Sequence, residues 1–518
     1  MILDVAGSNP VGRPNRPLTM IDILPDGKLA LLTCAEMSTA DAATIAGGIP
    51  GTGLMETAGR VVASAVVRHY PHQPVTVLCG PGSNGGDGFV AARRLQEAGW
   101  PVRLGLLGSV TDLKGDAAWA ADSWKGVTEP ISRDLLEGRP LVVDALFGAG
   151  LKRPIEGVAA ELIAALNEQS LPVVAVDVPS GLHGDTGEVL GCAPHAEVTV
   201  TFFRAKPGHL SLEGLRRCGD LQVVDIGIPD SVLQTINPRQ WRDGPGLWQH
   251  LLRRDGLRDN KYVRGHLTIL GGSAATGASR LSALAGRRIG AGLVTIASPA
   301  SAMAIYQTAE PGNLIVEATE DGAFGELLKD ERRNAVLIGP GSGVNGRTRQ
   351  AVLAALDRRR AAVLDADAIT TFAREPRELF KAIKGPVLLT PHEGEFKRIF
   401  PSLGTSLGAG GGKLARVREA ARLSGATVLL KGPDTVIASP DGRAVINVHA
   451  PASLATAGSG DVLAGMAAGL MTQGLAPLAA ASAAAWLHGE CAYRFGRPGL
   501  IAEDIVNSLP EALATAMN

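Results

Sequence analysis

The run Gly80-Pro81-Gly82-Ser83-Asn84-Gly85-Gly86-Asp87-Gly88 follows directly on an apolar stretch, Val75-Thr76-Val77-Leu78-Cys79. Strand, glycine-rich turn and helix in that order aim backbone N–H groups and a helix N-terminus at an anion. A second run, Gly458-Ser459-Gly460-Asp461, opens another apolar helix far along the chain. The pattern predicts two anion sites on two separate α/β units.

The length of 518 residues agrees with two units, since it exceeds what one ordinary core holds. Residues 1–28 are rich in Pro, Gly and Asn, lack an apolar signal core, and read as a flexible extension. Leu31 to Arg68 has helical spacing, with Ser38 or Thr39 as a candidate cap. Strand-like runs follow at 75–79, 102–107, 140–147, 172–178, 197–203 and 221–226, with helical stretches such as 91–98 and 158–167 between them. That alternation predicts a mainly parallel sheet covered on both faces. Residues 231–261 read as a linker with a short helix near Leu247–Leu252. A second series then runs through 267–271, 293–297, 314–317, 335–339, 361–365, 386–390, 426–430 and 435–438. The expected division is an extension over 1–28, a first domain over 29–230, a linker over 231–261 and a second domain over 262–518. The glycine-rich patch at 404–412 reads as a loop.

Charge narrows the function. With 50 basic and 51 acidic residues, the balance gives no support for nucleic-acid binding, and aromatics at 4% do not make a base-stacking surface. The five cysteines are widely spaced and form no Cys-x-x-Cys, so a reducing, cytoplasmic setting is expected without disulfides or a zinc site. Gly or polar residues interrupt the longest Ala/Leu stretches, and no membrane span is expected.

Gly80, Gly82 and Gly85 satisfy G-x-G-x-x-G, but the next strand ends Leu106-Leu107-Gly108-Ser109 without the acid that a dinucleotide-binding dehydrogenase places there. Two further strand runs do contain an acid near a glycine turn: Asp144-Ala145-Leu146-Phe147-Gly148 and Asp177-Val178-Pro179-Ser180-Gly181. In a parallel sheet these ends share one edge, so Asn84, Asp144, Asp177 and Ser180 can converge there. Oxygen donors of that kind suit a hard cation. Each Asp taken alone could equally be a helix cap or turn former.

Leu54-Met55-Glu56-Thr57-Ala58-Gly59, the Gly80–Gly88 run, Asp144 to Leu151 and Asp177 to Gly181 together resemble the NAD(P)H-hydrate epimerase family over about residues 30–230. The resemblance implies a Rossmann-like three-layer α/β sandwich, a bound K⁺, and interconversion of the R and S hydrates of NADH and NADPH. It implies that Ser83, Asn84, Gly85, Gly86 and Asp87, then Gly148, Ala149, Gly150, Leu151, Lys152, Arg153 and Pro154, together with Asp177, hold the nucleotide. It also implies that Asn84, Asp144 and Ser180 ligate K⁺. Thr57 stands where the family often has Asn. The reaction needs an acid/base group and charge stabilisation, for which Asp177 and Lys152 are candidates.

In the second half, Gly458-Ser459-Gly460-Asp461 can hold a phosphoryl group at a helix N-terminus, with Asp461 placed to take a proton from an attacking hydroxyl. No Walker motif is present: Lys413 is followed by Leu414 where Ser or Thr is required. Gly-x-Gly-Asp before a late helix resembles the ribokinase-like superfamily. Gly271-Gly272-Ser273, Gly339-Pro340-Gly341-Ser342-Gly343, Asp365-Ala366-Asp367, Thr390-Pro391-His392-Glu393 and Lys431-Gly432-Pro433-Asp434-Thr435 narrow this further. Over about residues 245–515 they resemble the ADP/ATP-dependent NAD(P)H-hydrate dehydratases. The resemblance implies that Ala278, Gly341, Gly343, His392 and Asp461 face the hydrate. It implies that Lys431, Gly432, Pro433, Asp434, Thr435 and Gly460 face the adenine nucleotide. ADP as co-substrate, Mg²⁺ and a homo-oligomeric assembly are the accompanying expectations. Ala450-Pro451-Ala452-Ser453 departs from the Asn-Pro-Gly often found before this helix. A small-molecule or vitamin kinase fused to a non-catalytic nucleotide-binding module stays open as the alternative.

Overall fold

The computed structural model describes residues 20–254, 256–257, 259–404 and 411–517. The first sheet contains β1 (Val75–Cys79), β2 (Val102–Leu106), β3 (Thr128–Pro130), β4 (Leu141–Ala145), β5 (Val173–Val176), β6 (Val198–Phe202) and β7 (Asp220–Val224). All pairings are parallel, in the order β3-β2-β1-β4-β5-β6-β7. Alternation along the strands splits the apolar side chains between two faces. Val77, Val143, Val174 and Val176 pack with the helices Gly51–His69 and Ser83–Glu97. Leu78, Val142, Val173 and Ala175 pack with Leu162, Ile163 and Leu166 of the helix Gly157–Gln169. The result is the three-layer α/β sandwich expected.

The second sheet joins β8 (Gln240–Arg242), β9 (His266–Leu270), β10 (Leu293–Ser298), β11 (Leu314–Glu317), β12 (Ala335–Ile338), β13 (Ala361–Leu364), β14 (Val387–Leu389), β15 (Thr427–Leu430), β16 (Thr435–Ala438) and β17 (Ala444–Asn447). Their order is β11-β10-β9-β12-β13-β14-β15-β16-β17-β8. It is parallel as far as β15, then turns antiparallel through β16 and β17. One face packs on the helices Thr276–Arg288, Ser459–Thr472, Pro477–Phe495 and Ala502–Met517; the other packs on Gly346–Asp357 and Gly412–Ser424.

Both sheets reverse their build direction once. The chain goes from β1 outward to β3 and returns to the other side of β1 with β4; β9 and β12 repeat the pattern. Such a switch leaves a crevice at the carboxyl ends of the two central strands, where ligands bind.

Several local expectations are corrected. The first helix, Cys34–Ala46, is capped by Thr33, whose hydroxyl accepts from the Glu36 N–H while Glu36 returns a bond to the Thr33 N–H. Ser38 and Thr39 instead donate to carbonyls one turn back. The helix expected at 91–98 begins at Ser83, so residues 83–88 of the glycine run are themselves helical. The linker expected over 231–261 contributes β8, which pairs parallel with β17. Residues 20–28 are not a free extension. The Ile21 N–H bonds the Gly474 carbonyl, the Leu24 N–H bonds the Leu247 carbonyl, and Ile23 is buried against Trp241, Leu247 and Trp248. Residues 1–19 and most of the expected loop at 404–412 lie outside the described residues.

Candidate functional sites

The helix Ser83–Glu97 begins after Gly82, which has no side chain to cap it. Its first-turn N–H groups therefore stay available to a ligand. Gly85 is required by contact: a Cβ there would lie 1.9 Å from the Gly80 carbonyl oxygen. Gly86 packs in the same way against Met55, so these two glycines seat the helix while Ser83, Asn84 and Asp87 line a cavity of about 660 Å³. Gly148, Ala149, Gly150, Leu151, Arg153 and Asp177 line its other side. Pro154 is exposed and is not among the lining residues. Thr57 lies outside the cavity and donates to the Gly53 carbonyl within its own helix.

Lys152 is exposed and does not reach this cavity; the lysine that does is Lys206. Lys206 is 2% exposed, and its ammonium bonds Asp177 Oδ1 at 2.5 Å and Thr201 Oγ1 at 2.8 Å. Asp177 Oδ2 accepts the Ala149 N–H at 3.1 Å. Its backbone sits in the left-handed region, with φ of 66°. Hydrogen bonds from its N–H to Val200 and from His209 to its carbonyl hold it there. His209 Nδ1 accepts the Lys206 N–H, so Nε2 carries the proton donated to Asp177. Burial first, then Lys206, push the His209 pKa down to about 4, so the ring is neutral.

Two carboxyls in the cavity are driven apart. Burial pushes Asp177 up, but the Lys206 ammonium, with His209 and the Ala149 N–H, outweighs it and holds Asp177 below its ordinary value. Asp87 has no such partner: burial first, then the Asp177 and Asp41 charges, push it well above the usual carboxylate range. Asp41 is also raised, by burial above all.

Asp144 and Ser180 lie beneath the cavity, both 0% exposed. Asp144 Oδ1 accepts the Ser180 hydroxyl at 2.6 Å, and Oδ2 accepts the Ser180 N–H at 2.8 Å. Among the described residues no Lys or Arg pairs with Asp144, and burial, partly offset by Ser180, raises its pKa. The side chain of Asn84 approaches Gly148 together with Asp177, and Asn84 Nδ2 is buried without a partner. A buried carboxylate bonded only by neutral groups, with the Ser180 hydroxyl oxygen against it, fits a monovalent hard cation.

In the second half, the glycines after β9 and β12 meet at the switch point. A Cβ on Gly272 would lie 1.8 Å from the Gly341 carbonyl oxygen. Gly343 donates its N–H to Asp367 Oδ2 at 2.8 Å, and Ala278 lies in the first turn of the helix Thr276–Arg288. The helix Ser459–Thr472 starts after Gly458, again with no side-chain cap. Ser459 is engaged by His488 instead, with Oγ and Nε2 at 3.1 Å. Lys431 Nζ bonds Asp365 Oδ1 at 2.8 Å and lies 3.6 Å from where a Gly460 Cβ would stand. Burial first, then Asp365, raise the Asp461 pKa to about 6, against the pull of Lys431. Lys431, Gly460 and Asp461 therefore share one site.

His392 caps the helix Glu393–Ile399 through Nδ1, which accepts the Gly394 N–H at 2.9 Å. Its side chain remains 55% exposed, free to meet a ligand. In the run 431–435, Gly432 and Thr435 close on each other, with Thr435 Oγ1 donating to the Gly432 carbonyl at 2.8 Å. Asp434 is buried and bonds Lys413 at 2.7 Å and the Leu212 N–H of the first unit at 3.0 Å.

Reading the sequence missed Lys206, His209, Thr201 and Asp41. The signal for Lys206 is its place just beyond the strand-like run at 197–203, at the same sheet edge as the ends of the runs at 75–79, 140–147 and 172–178.

A family model described as NAD(P)H-hydrate dehydratase matches residues 267–510, and one described as YjeF-related protein N-terminus matches residues 51–208. The chain is 37% identical over 513 residues to the bifunctional NAD(P)H-hydrate repair enzyme Nnr of Moorella thermoacetica, covering 93% of this chain and 96% of the relative. It is 37% identical over 477 residues to the enzyme of that name from Thermosynechococcus vestitus, covering 89% and 92%. The crystal structure of an ADP/ATP-dependent NAD(P)H-hydrate dehydratase from Bacillus subtilis, co-crystallised with ATP and Mg²⁺, is 26% identical and covers 52% of this chain and 95% of its own, with a TM-score of 0.46. With such identity sustained over nearly its whole length, the chain belongs to the bifunctional NAD(P)H-hydrate repair enzymes.

Proposed function

We propose that the first unit equilibrates the R and S hydrates of NADH and NADPH, and that the second dehydrates the S hydrate at the expense of ADP. The observation that carries this reading is the presence of two switch-point sites, each with an uncapped helix N-terminus and a carboxyl of shifted acidity.

In the first site, Asp87 is the proton donor. It protonates the hydroxyl on carbon 6 of the hydrate; the C–O bond breaks and water departs. The cation left on carbon 6 is stabilised by the ring nitrogen lone pair and by the anionic Asp177. Water then adds to either face and returns its proton to Asp87. A protonated and an ionised carboxyl side by side are what this sequence of steps needs. Asn84, Asp144 and Ser180 would hold K⁺, which when bound would supply positive charge to the site.

In the second site, Asp461 accepts the proton of the carbon 6 hydroxyl as its oxygen attacks the β-phosphorus of ADP, and AMP leaves. Phosphate then departs from carbon 6 with the bonding electrons while a proton is lost from carbon 5. The C5=C6 double bond and the reduced nicotinamide are restored. Lys431, held by Asp365, and Gly460 face the nucleotide, and Ala278, Gly341, Gly343 and His392 face the hydrate. Mg²⁺ would enter on the nucleotide's phosphates, where it offsets charge.

The test is a crossed pair of variants in the full chain. Asp177→Asn should abolish R/S equilibration and leave ADP-dependent dehydration of S hydrate intact; Asp461→Asn should do the reverse. Loss of both activities in both variants would refute the assignment.

A further inference from the structure

The first cavity contains more carboxyl than cationic charge. Asp41 approaches from the first helix, Asp87 from the glycine-run helix, and Asp177 from the end of β5. Lys206 is the buried ammonium among them; the neutral His209, the half-buried Cys34 thiol and the buried Cys218 thiol also face Asp177, and Asp116 lines the cavity from the helix Gly115–Ser123. Arg153 lines the cavity from an exposed loop and, among the described residues, makes no ion pair with these acids.

Lys206 is fixed at three points, two on its ammonium and one on its backbone. It bonds Asp177 Oδ1 and Thr201 Oγ1, and its backbone N–H is held by His209. The turn that follows, Pro207–Leu210, is anchored to the second unit: Leu210 packs with Val436 and Ile446, and the Leu212 N–H bonds Asp434. A lysine tethered this tightly keeps its charge at one point instead of sampling solvent.

We propose that Lys206 is the positioning residue of the epimerase site: it fixes Asp177 as the cavity's anion and leaves the mobile protons to Asp87 and Asp41. The inference rests on the role given to Asp177 above. Without Lys206, Asp177 becomes a buried carboxyl beside two others, and desolvation favours its protonated form. The cation at carbon 6 then loses its counter-charge. Arg in place of Lys keeps the charge but not the reach of a single ammonium.

The experiment uses the full-length enzyme, with R/S exchange followed by chromatography and ADP-dependent dehydration of S hydrate measured on the same preparation. Lys206→Met should lower kcat for epimerisation about 10²-fold, with a smaller effect on KM. The acid limb of its pH profile should move to higher pH, because Asp177 now ionises later, and dehydration should stay unchanged. Lys206→Arg should restore the position of that limb and part of the rate. A Lys206→Met enzyme whose pH profile superimposes on the parent's would overturn the proposal, whatever its rate. So would a Lys206→Arg enzyme that dehydrates normally but shows the Met variant's profile. Asp177→Asn separates the two levels of the argument. If it still epimerises, the role of Asp177 itself is wrong; if it is inactive while Lys206→Met has the parent profile, only the role of Lys206 falls.

Discussion

Asp461 and Asp144 are both carboxyls raised by burial, but they predict different measurements. Asp461 faces its site with a pKa of about 6, and as a general base it works only when ionised. Dehydration kcat/KM should therefore rise with pH through about 6 and level off above it. Asp365→Asn removes the neighbouring charge that lifts this value and should shift the limb to lower pH; an unmoved limb would assign it to another group. Asp144 touches no substrate in this account. Asp144→Ala should weaken the K⁺ dependence of epimerisation and leave dehydration intact, because one anionic oxygen ligand is lost. Equal loss of both activities would indicate unfolding instead. The sequence made Asp144, Asp177 and Asp461 legible because each follows an apolar run or opens a glycine-led helix. It left Lys206 obscure: its role arises only where β6, Asp177 and the Pro207–Leu210 turn meet in space.

Among the elements, the two glycine-led helices were legible as anion sites. Their starts were less so, because Gly85, Gly86 and Gly88 lower helix propensity and the helix forms there through close packing. Gly85→Ala should show this. A Cβ 1.9 Å from the Gly80 carbonyl oxygen forces the helix off β1, at a cost of about 1–3 kcal/mol in stability. Thermal unfolding should reveal a weaker first unit and epimerisation should fall, while dehydration persists. The short strands β3 and β8 were missed because three residues, Thr128–Pro130 or Gln240–Arg242, are too few to display a period. Thr33 was overlooked as a cap because Ser38 and Thr39 offered the same side chains closer to the apolar spacing, whereas the box partner Glu36 fixes the start.

At the scale of the whole molecule, the sequence revealed two units but not how the chain is shared between them. Residues 20–31 run along the second unit before Leu32 enters the first, bonding Ala205 through its N–H. We propose that the second unit begins near Pro238 rather than after 261, since β8 closes the edge of β17 and Trp241 is 2% exposed. A fragment spanning 238–518 should be more stable than one starting at 247, with the loss of buried Trp241 alone worth about 3–5 kcal/mol. Equal melting curves would place β8 outside the second unit's core.

Two sites in one chain return both hydrates to reduced nicotinamide, and the absorbance of that chromophore near ~340 nm measures this directly. Starting from an R/S mixture of hydrates, the full enzyme with ADP and Mg²⁺ should restore the absorbance of both epimers, releasing AMP and phosphate. The Asp177→Asn enzyme should stop once the S hydrate is consumed. A stable phosphorylated product with no absorbance recovery would contradict the account and make the second unit a kinase.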